Sequence, residues 1–367
     1  MRSRKIVFAG GGTAGHIQPA LAVARLWMQQ NPSDQIIFLG TSSGLETRLV
    51  PEAGFELQLI TRVRVPRSLS PDLFKVPNSL RRSISESKKI LEGADLLIGF
   101  GGYVCAPAYI AAGSLKVPIV IHEANTAPGW ANRLGARYTD ALATGTPVSD
   151  GPFAQALITG LPLRDDIASL LSAYRSADEA SWSEIRVKMK NELGVRPGDK
   201  VVLVFGGSQG SQAINNVIDS ARSKINDRSI TIIHSVGTSN ALPASDERYF
   251  ASSYIEDMAS AYLAADLVVA RSGAITCSEV RALGKYALFI PLPIGNGEQS
   301  VNADHLVEMG RARVLDQKSF TPTWLLDNMD SMLALSAQIS DRPDFADLDA
   351  AAKILALAEF KLAASER

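Results

Sequence analysis

The stretch VVLVFGGSQGSQAIN, residues 201–215, decides how the second half of the chain folds. Residues 201–205 form a short apolar run rich in β-branched side chains, which is typical of a buried parallel strand. Gly206 and Gly207 follow at once, and a helix-like segment begins at Ser211. A strand that turns through glycines into a helix leaves backbone N–H groups at the positive end of the helix dipole. Because glycine has no Cβ, a diphosphate can lie against those groups.

A second stretch of this kind, GGGTAGH, forms residues 10–16 near the N-terminus. Apolar strands and helical segments alternate along the rest of the chain, which is the pattern of a doubly wound parallel sheet. One phosphate-binding turn in each half predicts two Rossmann-like α/β domains that face each other across a cleft. We predict an N-terminal domain over residues 1–160, a C-terminal domain over residues 161–344, and a final Ala/Leu-rich helix over residues 345–364.

The predicted elements are short and regularly spaced. In the first half, strands are expected at Lys5–Ala9, Gln35–Leu39, Phe55–Ile60, Asp95–Gly99, Pro118–His122 and Asp140–Ala143. In the second half they are expected at Lys200–Phe205, Ile230–Ser235, Asp266–Ala270, Ala287–Pro291 and Arg313–Leu315. Helices are expected in the intervals, including a polar helical stretch at Asp165–Leu193 and a helix at Ser300–Met309.

The composition of the 367 residues is that of a globular protein, with 46% hydrophobic residues and a formal net charge of -1. The net charge gives no reason to expect a nucleic-acid partner, so any electrostatic partner must be met by a local patch. Cys105 and Cys277 are expected to be buried thiols in a reducing compartment, because the N-terminus lacks the apolar region of a signal peptide. We predict a cytosolic protein with no membrane-spanning segment.

Gly10, Gly12 and Gly15 fit the pattern G-x-G-x-x-G, which also occurs in proteins that bind nicotinamide or flavin dinucleotides. The acidic residue that binds a ribose in those proteins is absent, since residues 39–43 read LGTSS. His16, directly after the last glycine, is also unusual for a dinucleotide turn. Its imidazole could act as a general base near neutral pH, or it could only contact phosphate.

Polar residues crowd the ends of two further predicted strands in the first half. Gly101, Gly102 and Tyr103 form a third glycine turn, and the sequence HEAN follows as residues 122–125. Ligands bind beyond the carboxyl ends of strands in open α/β sheets. We therefore expect His122, Glu123 and Asn125 at a site, with the alternative that one of them only braces a loop.

The segment RSGAITCSE, residues 271–279, places an arginine and a glutamate around another glycine turn. Arg271 could neutralise a diphosphate, and Glu279 could accept hydrogen bonds from both hydroxyls of a ribose. The alternative is a salt bridge between these two side chains. The polar residues 295–302 could hydrogen-bond a sugar or simply form a loop.

Residues 62–92 carry eight basic and three acidic side chains with apolar residues between them. Such a segment suits anionic lipid headgroups, to which each basic residue contributes about 1 kcal/mol, although an ordinary solvated loop and helix would look alike. Metal binding is not expected, because the four histidines show no ligand spacing and the one D-x-D, Asp347–Asp349, suits a helix cap.

Seven segments in one order resemble the signatures of the MurG family of bacterial glycosyltransferases: GGTAGH, GFGGYV, HEAN, GLPLR, FGGSQGS, RSGAITCSE and GEQSVNA. The segment GNGEQ, residues 295–299, is similar to the corresponding segment of actinobacterial members of the family. The resemblance covers nearly the whole chain and implies the GT-B fold, in which the final helix crosses back to the N-terminal domain. It implies no cofactor.

The implied reaction moves N-acetylglucosamine (GlcNAc) from UDP-GlcNAc to the C4 hydroxyl of the muramoyl sugar of lipid I, which is undecaprenyl-pyrophosphoryl-MurNAc-pentapeptide. The product is lipid II, and the configuration at the anomeric carbon is inverted. The implied location is the cytoplasmic face of the cell membrane, where residues 69–89 are expected to dock. Two alternatives stay open at this point. One is another GT-B UDP-sugar transferase, and the other is a nucleotide-sugar binding protein without activity.

The resemblance also implies residue roles. His16 and Glu123 are the candidates for the general base. The donor site would comprise Thr13, Ala14, Gly15, Asn125, Arg164, Ser208, Ile255, Ala274, Ile275, Thr276, Glu279 and Gln299. The acceptor diphosphate would lie at Gly11, Gly12, Gly101, Gly102 and Tyr103. The chain departs from many relatives at Ala14, where they have glycine, and at Glu298, where they have glutamine.

Overall fold

The computed structural model describes residues 2–63, 76–176, 178–293, 297–339 and 343–365. The chain forms two compact units. The first unit comprises Met1–Arg164 and Asp349–Arg367, and the second comprises Asp165–Leu348. Each unit is a parallel sheet with helices on its faces.

The strands are β1 (Lys5–Ala9), β2 (Gln35–Gly40), β3 (Glu56–Leu59), β4 (Leu96–Gly99), β5 (Ile119–Glu123), β6 (Leu142–Thr144), β7 (Leu157–Ile158), β8 (Lys200–Phe205), β9 (Ile230–Ser235), β10 (Tyr249–Ser252), β11 (Leu267–Ala270), β12 (Ala287–Phe289) and β13 (Ala312–Val314). The helices are α1 (Ala14–Gln30), α2 (Glu46–Glu52), α3 (Val76–Leu91), α4 (Cys105–Leu115), α5 (Trp130–Gly135), α6 (Asp165–Ala173), α7 (Glu179–Glu192), α8 (Gln212–Asn226), α9 (Met258–Ala264), α10 (Ala274–Ala282), α11 (Glu298–Asn302), α12 (Asp304–Glu308), α13 (Pro322–Gln338) and α14 (Ala350–Ser365).

The sheet of the first unit has the order β3-β2-β1-β4-β5-β6-β7, and all its strand pairs are parallel. Successive residues of β1 point to opposite faces of the sheet, because side chains alternate along a strand, and they pack in two separate cores. Ile6 and Phe8 pack in one core, and Val7 and Ala9 pack in the other. Burial on both faces explains why the sequence of β1 is a continuous apolar run.

Helix α14 belongs to the first unit, where it packs against α1. Its residues Ile354, Leu355 and Ala358 join the core that contains Ile17 and Trp27. At the exposed side of the helix, Lys361 Nζ lies 2.6 Å from Asp140 Oδ1.

The sheet of the second unit has the order β10-β9-β8-β11-β12-β13, again with parallel pairs. Val202 and Val204 of β8 pack with Ile214 and Ile218 of α8, and helix α13 completes this core. In both units the chain reverses its direction of progress through the sheet between two central strands. These reversals lie between β1 and β4 and between β8 and β11, and such positions open a crevice at the carboxyl ends of the strands.

Several predicted helices and strands differ from those observed in the second unit. The stretch Asp165–Leu193 is two helices rather than one, because Asp178 starts a new helix by accepting a hydrogen bond from Ser181 N at 2.8 Å. The helix predicted at Ser300–Met309 is likewise two short helices, α11 and α12, which meet at Ala303. Strand β10 and helix α13 were absent from the prediction.

Candidate active site

The loops after β1, β4 and β5, with the adjoining ends of α1 and β5, form the N-terminal loop cluster. It comprises residues 10–16, 100–104 and 122–129. Gly101 and Gly102 have φ of +94° and +88°, a region that favours glycine. A Cβ on Gly102 would clash with the carbonyl oxygen of Gly11. The glycine turns at residues 10–16 and 101–103 therefore touch each other backbone to backbone at the reversal between β1 and β4.

His16 lies in the first turn of α1, with its ring against the third glycine turn. Its Nδ1 is 3.1 Å from the Gly11 carbonyl oxygen and 3.2 Å from Thr13 Oγ1. A carbonyl oxygen only accepts hydrogen bonds, so the neutral ring carries its hydrogen on Nδ1 and its lone pair on Nε2. A Cβ on Gly101 would lie 3.3 Å from this Nε2, so that the lone-pair side of the ring adjoins the turn.

A buried carboxylate that the sequence did not indicate holds the glycine turn at residues 10–16. Gly12 N donates to Glu46 Oε2 at 2.9 Å, and the Glu46 side chain is fully buried. Thr41 donates to Glu46 Oε1 from its N at 2.9 Å and its Oγ1 at 3.1 Å. The Gly12 N–H, which was expected to contact the acceptor diphosphate, is thus engaged within the protein. Sequence alone gave no sign of this pairing across 34 residues.

The HEAN segment is braced by Glu123, whose carboxylate receives four hydrogen bonds. Oε1 accepts from Asn125 N at 2.9 Å and from Asn125 Nδ2 at 3.0 Å. Oε2 accepts from Gly129 N and from Asn132 Nδ2, both at 2.9 Å. A carboxylate offers about four lone-pair sites, so these donors occupy them all. Asn132 is buried and also accepts from Tyr109 Oη at 2.8 Å.

His122 lies in the interior of the first unit. It is fully buried, its Nε2 is 3.0 Å from the Gly160 carbonyl oxygen, and its ring centroid is 5.7 Å from that of Phe100. These contacts give His122 a packing role, whereas Tyr103 is 44% exposed and Thr13 is exposed.

The loops after β8, β11 and β12 form the C-terminal loop cluster, which comprises residues 206–211, 271–276 and 297–299. Gly207 and Gly210 have φ of +88° and +76°. A Cβ on Gly210 would clash with the carbonyl oxygen of Val236. Ser211 caps α8, since its Oγ accepts from Ile214 N at 3.4 Å. The first turn of α8 is thus fixed beside Ser208, as the glycine pattern predicts.

Arg271 links its own loop to the loops after β8, β12 and β13. Its Nη1 donates to the carbonyl oxygens of Ile290 and Pro291 at 2.8 and 2.9 Å. Its Nη2 donates to Ser211 Oγ at 2.8 Å and to Gln317 Oε1 at 2.6 Å. The planar guanidinium suits several acceptors at once, and the side chain is buried. Arg271 therefore connects the cap of α8 to the end of β12.

Glu279 is buried in α10, where its Oε2 accepts from Tyr262 Oη at 2.9 Å. The alternative of a salt bridge with Arg271 is wrong, because that guanidinium binds the acceptors described above. Ala274, Ile275 and Thr276 form the half-buried first turn of the same helix.

Gln299 is held by the loops around it. Its Oε1 accepts from Leu292 N at 3.0 Å, and its carbonyl oxygen accepts from Ser272 Oγ at 2.6 Å. Asn302 Nδ2 donates to the Ser272 carbonyl oxygen at 3.2 Å. Part of the predicted polar loop, residues 294–296, lies outside the described residues.

The remaining predicted donor residues lie in connecting segments. Ile255 is half-buried between β10 and α9, and Arg164 is half-buried at the end of the first unit. Ala14, Gly15 and Asn125 are half-buried in the N-terminal loop cluster.

The part of the chain that the structure describes contains no group of three or more His, Cys, Asp or Glu side chains arranged to hold a metal ion. None of the helices in those residues is both long and apolar enough to cross a bilayer. Cys105 and Cys277 are free thiols. Burial raises the pKa of Cys105 to about 12, which makes it a poor nucleophile.

Two family models match the chain: the glycosyltransferase family 28 N-terminal domain over residues 6–144 and the glycosyltransferase family 28 C-terminal domain over residues 201–356. A Mycolicibacterium vanbaalenii protein named UDP-N-acetylglucosamine--N-acetylmuramyl-(pentapeptide) pyrophosphoryl-undecaprenol N-acetylglucosamine transferase is 42% identical over 361 residues, covering 93% of this chain and 87% of that protein. The chain belongs to glycosyltransferase family 28.

Other relatives of this family 28 chain agree. A Streptomyces coelicolor protein of the same name is 44% identical over 336 residues, covering 90% of this chain and 89% of that protein. The crystal structure of Acinetobacter baumannii MurG matches with a TM-score of 0.68 and 26% identity, covering 98% of this chain and 100% of that chain. The resemblance to the MurG family, the GT-B fold and the glycosyltransferase class are confirmed.

Proposed function

We propose that this family 28 chain transfers GlcNAc from UDP-GlcNAc to the C4 hydroxyl of MurNAc in lipid I, with inversion, and so forms lipid II for peptidoglycan synthesis. The observation that carries the proposal is the 42–44% identity, over about nine-tenths of the chain, to relatives named for this transfer. Inverting transfer needs a base for the attacking hydroxyl and stabilisation of the charge on departing UDP.

His16 is the base that we propose for the acceptor hydroxyl. The hydrogen bond from its Nδ1 to the Gly11 carbonyl leaves the lone pair on Nε2, and the pKa of an ordinary imidazole lies near neutrality. Glu123, the other candidate, already receives four hydrogen bonds, and at least one would have to break before it could accept a proton. We therefore assign Glu123 to bracing the HEAN loop.

The C-terminal loop cluster is proposed to bind the donor. The positive end of α8 and Ser208, with Arg164, would stabilise the diphosphate of departing UDP. Glu279 would accept hydrogen bonds from the ribose hydroxyls, since one carboxylate can accept from both hydroxyls of a ribose. The uracil and sugar contacts would come from Ile255, Ala274, Ile275, Thr276 and Gln299, with Thr13, Ala14, Gly15 and Asn125 also contacting GlcNAc.

The acceptor diphosphate is proposed to lie against the touching glycine turns of the N-terminal loop cluster, at Gly11, Gly12, Gly101, Gly102 and Tyr103. Because Gly12 N donates to Glu46, we expect the other residues of this set to supply the phosphate contacts. The absence of Cβ atoms there lets a phosphate approach the backbone closely.

Because lipid I is anchored in a membrane, the enzyme is proposed to bind the cytoplasmic leaflet as a peripheral protein. Helix α3 supports this proposal: Ser83, Ser87, Ile90 and Leu91 are buried, while its basic residues Arg81, Arg82, Lys88 and Lys89 are exposed. Residues 69–75 of the predicted docking segment lie outside the described residues.

The proposed reaction is tested by measuring UDP release from UDP-GlcNAc with a short-chain lipid I analogue, with and without EDTA. Release that needs the analogue and survives chelation is expected. Loss of release on chelation would keep the transferase but contradict stabilisation of UDP by helix α8 and arginine. Binding of UDP-GlcNAc without release would instead favour another acceptor or a binding protein.

A further inference from the structure

Glu46 is a fully buried carboxylate that contacts the N-terminal loop cluster at Gly12, and the proposed reaction assigns it no role. It starts α2 and fills a space that two glycines keep open, since a Cβ on Gly40 or Gly44 would clash with its side chain. Its three hydrogen bonds come from Thr41 N, Thr41 Oγ1 and Gly12 N. The carboxylate is therefore held from several sides and points at the turn that precedes His16.

The contacts of Glu46 and His16 meet on one peptide group. The N–H of Gly12 and the C=O of Gly11 belong to the same peptide unit. Glu46 Oε2 accepts from this N–H at 2.9 Å, and this C=O lies 3.1 Å from His16 Nδ1. Hydrogen bonds in a chain polarise one another, and bonds to a charged acceptor are the strongest. A carboxylate on the N–H thus makes the C=O a better acceptor for the imidazole.

We propose that Glu46 is a positioning residue for His16, which it controls through the Gly11–Gly12 peptide. The carboxylate fixes the orientation of that peptide and strengthens the acceptor of the Nδ1–H bond. The imidazole is thereby held in the tautomer that carries its lone pair on Nε2, next to the Gly101–Tyr103 turn. The inference rests on the proposed role of His16 as base, but the tautomer itself is a property of the resting protein.

The test is ¹⁵N NMR of the histidine rings in wild type and in Glu46→Gln. The chain has only four histidines, and a His16→Gln variant assigns the signal of interest. Wild type is expected to show His16 with hydrogen on Nδ1. The glutamine amide has one oxygen, so it cannot accept from both Thr41 and Gly12 as the carboxylate does. In Glu46→Gln we therefore expect a measurable population of the Nε2–H tautomer.

The same variant is expected to lose about 10-fold to 100-fold in kcat, a part of the ~10²–10⁴ that a general base contributes. The KM for UDP-GlcNAc should stay within about twofold, because a positional change at the base removes stabilisation of the transition state alone. Partial unfolding would also lower the apparent kcat without changing KM, so kcat is expressed per folded enzyme, with the folded fraction measured by circular dichroism under the assay conditions.

Asp34→Asn is the matched control. Asp34 is also a buried carboxylate of the first unit, and it accepts from Arg4 N at 3.0 Å, Arg4 Nε at 2.9 Å and Trp27 Nε1 at 3.0 Å. It lies at the amino ends of β1 and β2, whereas His16 lies beyond the carboxyl end of β1. This control is expected to lose stability while the His16 tautomer and kcat stay unchanged.

The outcomes separate this inference from the proposed function. A wild-type His16 with hydrogen on Nε2 would overturn the inference without any variant, even if Glu46→Gln did not fold. An unchanged tautomer in Glu46→Gln would also overturn it and reduce Glu46 to a support of the turn. A changed tautomer with unchanged kcat would support the control of His16 by Glu46 and contradict His16 as the base.

Discussion

At the residue scale, the two candidate bases, His16 and Glu123, differ in the hydrogen bonds that their side chains make. All four lone-pair sites of Glu123 are occupied by groups of its own loop. The Nδ1 hydrogen bond of His16, in contrast, selects the tautomer in which Nε2 is the basic atom. The sequence indicates that both residues lie near the carboxyl ends of strands. The contacts are what favour His16 as the base and Glu123 as a residue that supports its own loop.

Substitution of each candidate by glutamine is expected to separate these roles. His16→Gln should lower kcat by at least about 100-fold with little change in the free energy of unfolding. Glu123→Gln leaves at least one buried donor without its acceptor, so it should lower the free energy of unfolding by about 1–3 kcal/mol. Steady-state kinetics and urea unfolding measure the two effects. A larger kcat loss in a fully stable Glu123→Gln variant would contradict the assignment.

At the scale of the element, Arg271 connects its own loop with the loops after β8, β12 and β13 of the second unit. A lysine there has a single ammonium in place of the planar fork, so it cannot reach all four acceptors. We expect Arg271→Lys to loosen the cap of α8 and raise the KM for UDP-GlcNAc about 10-fold, which corresponds to about 1.4 kcal/mol.

Arg248→Lys provides the matched control for that variant. Arg248 donates from Nε and Nη2 to Asp199 at 2.7 and 3.1 Å, at the amino ends of β8 and β10. Its replacement is expected to affect stability but not the KM for UDP-GlcNAc. An equal rise in KM in both variants would show that loss of stability, rather than loop position, explains the effect.

Helix α3 allows a test of membrane binding. Reversing the charge of four exposed basic residues should weaken binding to vesicles that contain anionic lipid by at least 10-fold, because each contributes about 1 kcal/mol. The residues are Arg81, Arg82, Lys88 and Lys89. The control reverses four exposed basic residues of the second unit: Arg175, Lys188, Lys200 and Lys224. Binding is measured by co-sedimentation with the vesicles. Unchanged binding of the α3 variant would exclude this helix as the docking surface.

At the scale of the whole molecule, the buried parallel strands were predictable and the long-range contacts were not. Strands β1, β8 and β9 begin and end at the residues predicted, since continuous apolar runs between turns are distinctive. Strand β10 was missed because three of its four residues are only half-buried and its sequence, YFAS, lacks such a run.

In the two loop clusters, likewise, the positions of the loops were predictable from the sequence and their long-range contacts were not. Glycine turns after strands predict where a loop cluster lies, because a close backbone approach and positive φ require glycine. The partners of Glu46 and Arg271 come from segments up to 60 residues away, so no local pattern indicates them. The sequence therefore predicts the positions of the loops better than the contacts that hold them.

The pH dependence of stability offers a test of the core of the second unit. His234 is buried, with Nδ1 2.8 Å from Tyr249 Oη and Nε2 3.1 Å from Asn215 Oδ1. Burial lowers its pKa from 6.5 to about 4, against a smaller opposing effect of Asp219. The folded unit thus stays unprotonated at His234 where the unfolded chain binds a proton, so its stability falls as the pH drops from about 6.5 toward 4.

The expected loss is about 2 kcal/mol between pH 7.5 and pH 5, since one pKa unit corresponds to ~1.4 kcal/mol. Urea unfolding at both pH values measures it in wild type and in His234→Gln, which does not titrate. The variant should be less stable at pH 7.5, because the amide atoms of glutamine do not occupy the positions of the two ring nitrogens that contact Tyr249 and Asn215, yet it should lose less on acidification. Equal losses would mean that groups other than His234 dominate this pH range. Because Asn215 also donates to the Val236 carbonyl at 2.9 Å, against which Gly210 packs, acidification that charges His234 is expected to loosen the glycine turn at residues 206–211 together with the core.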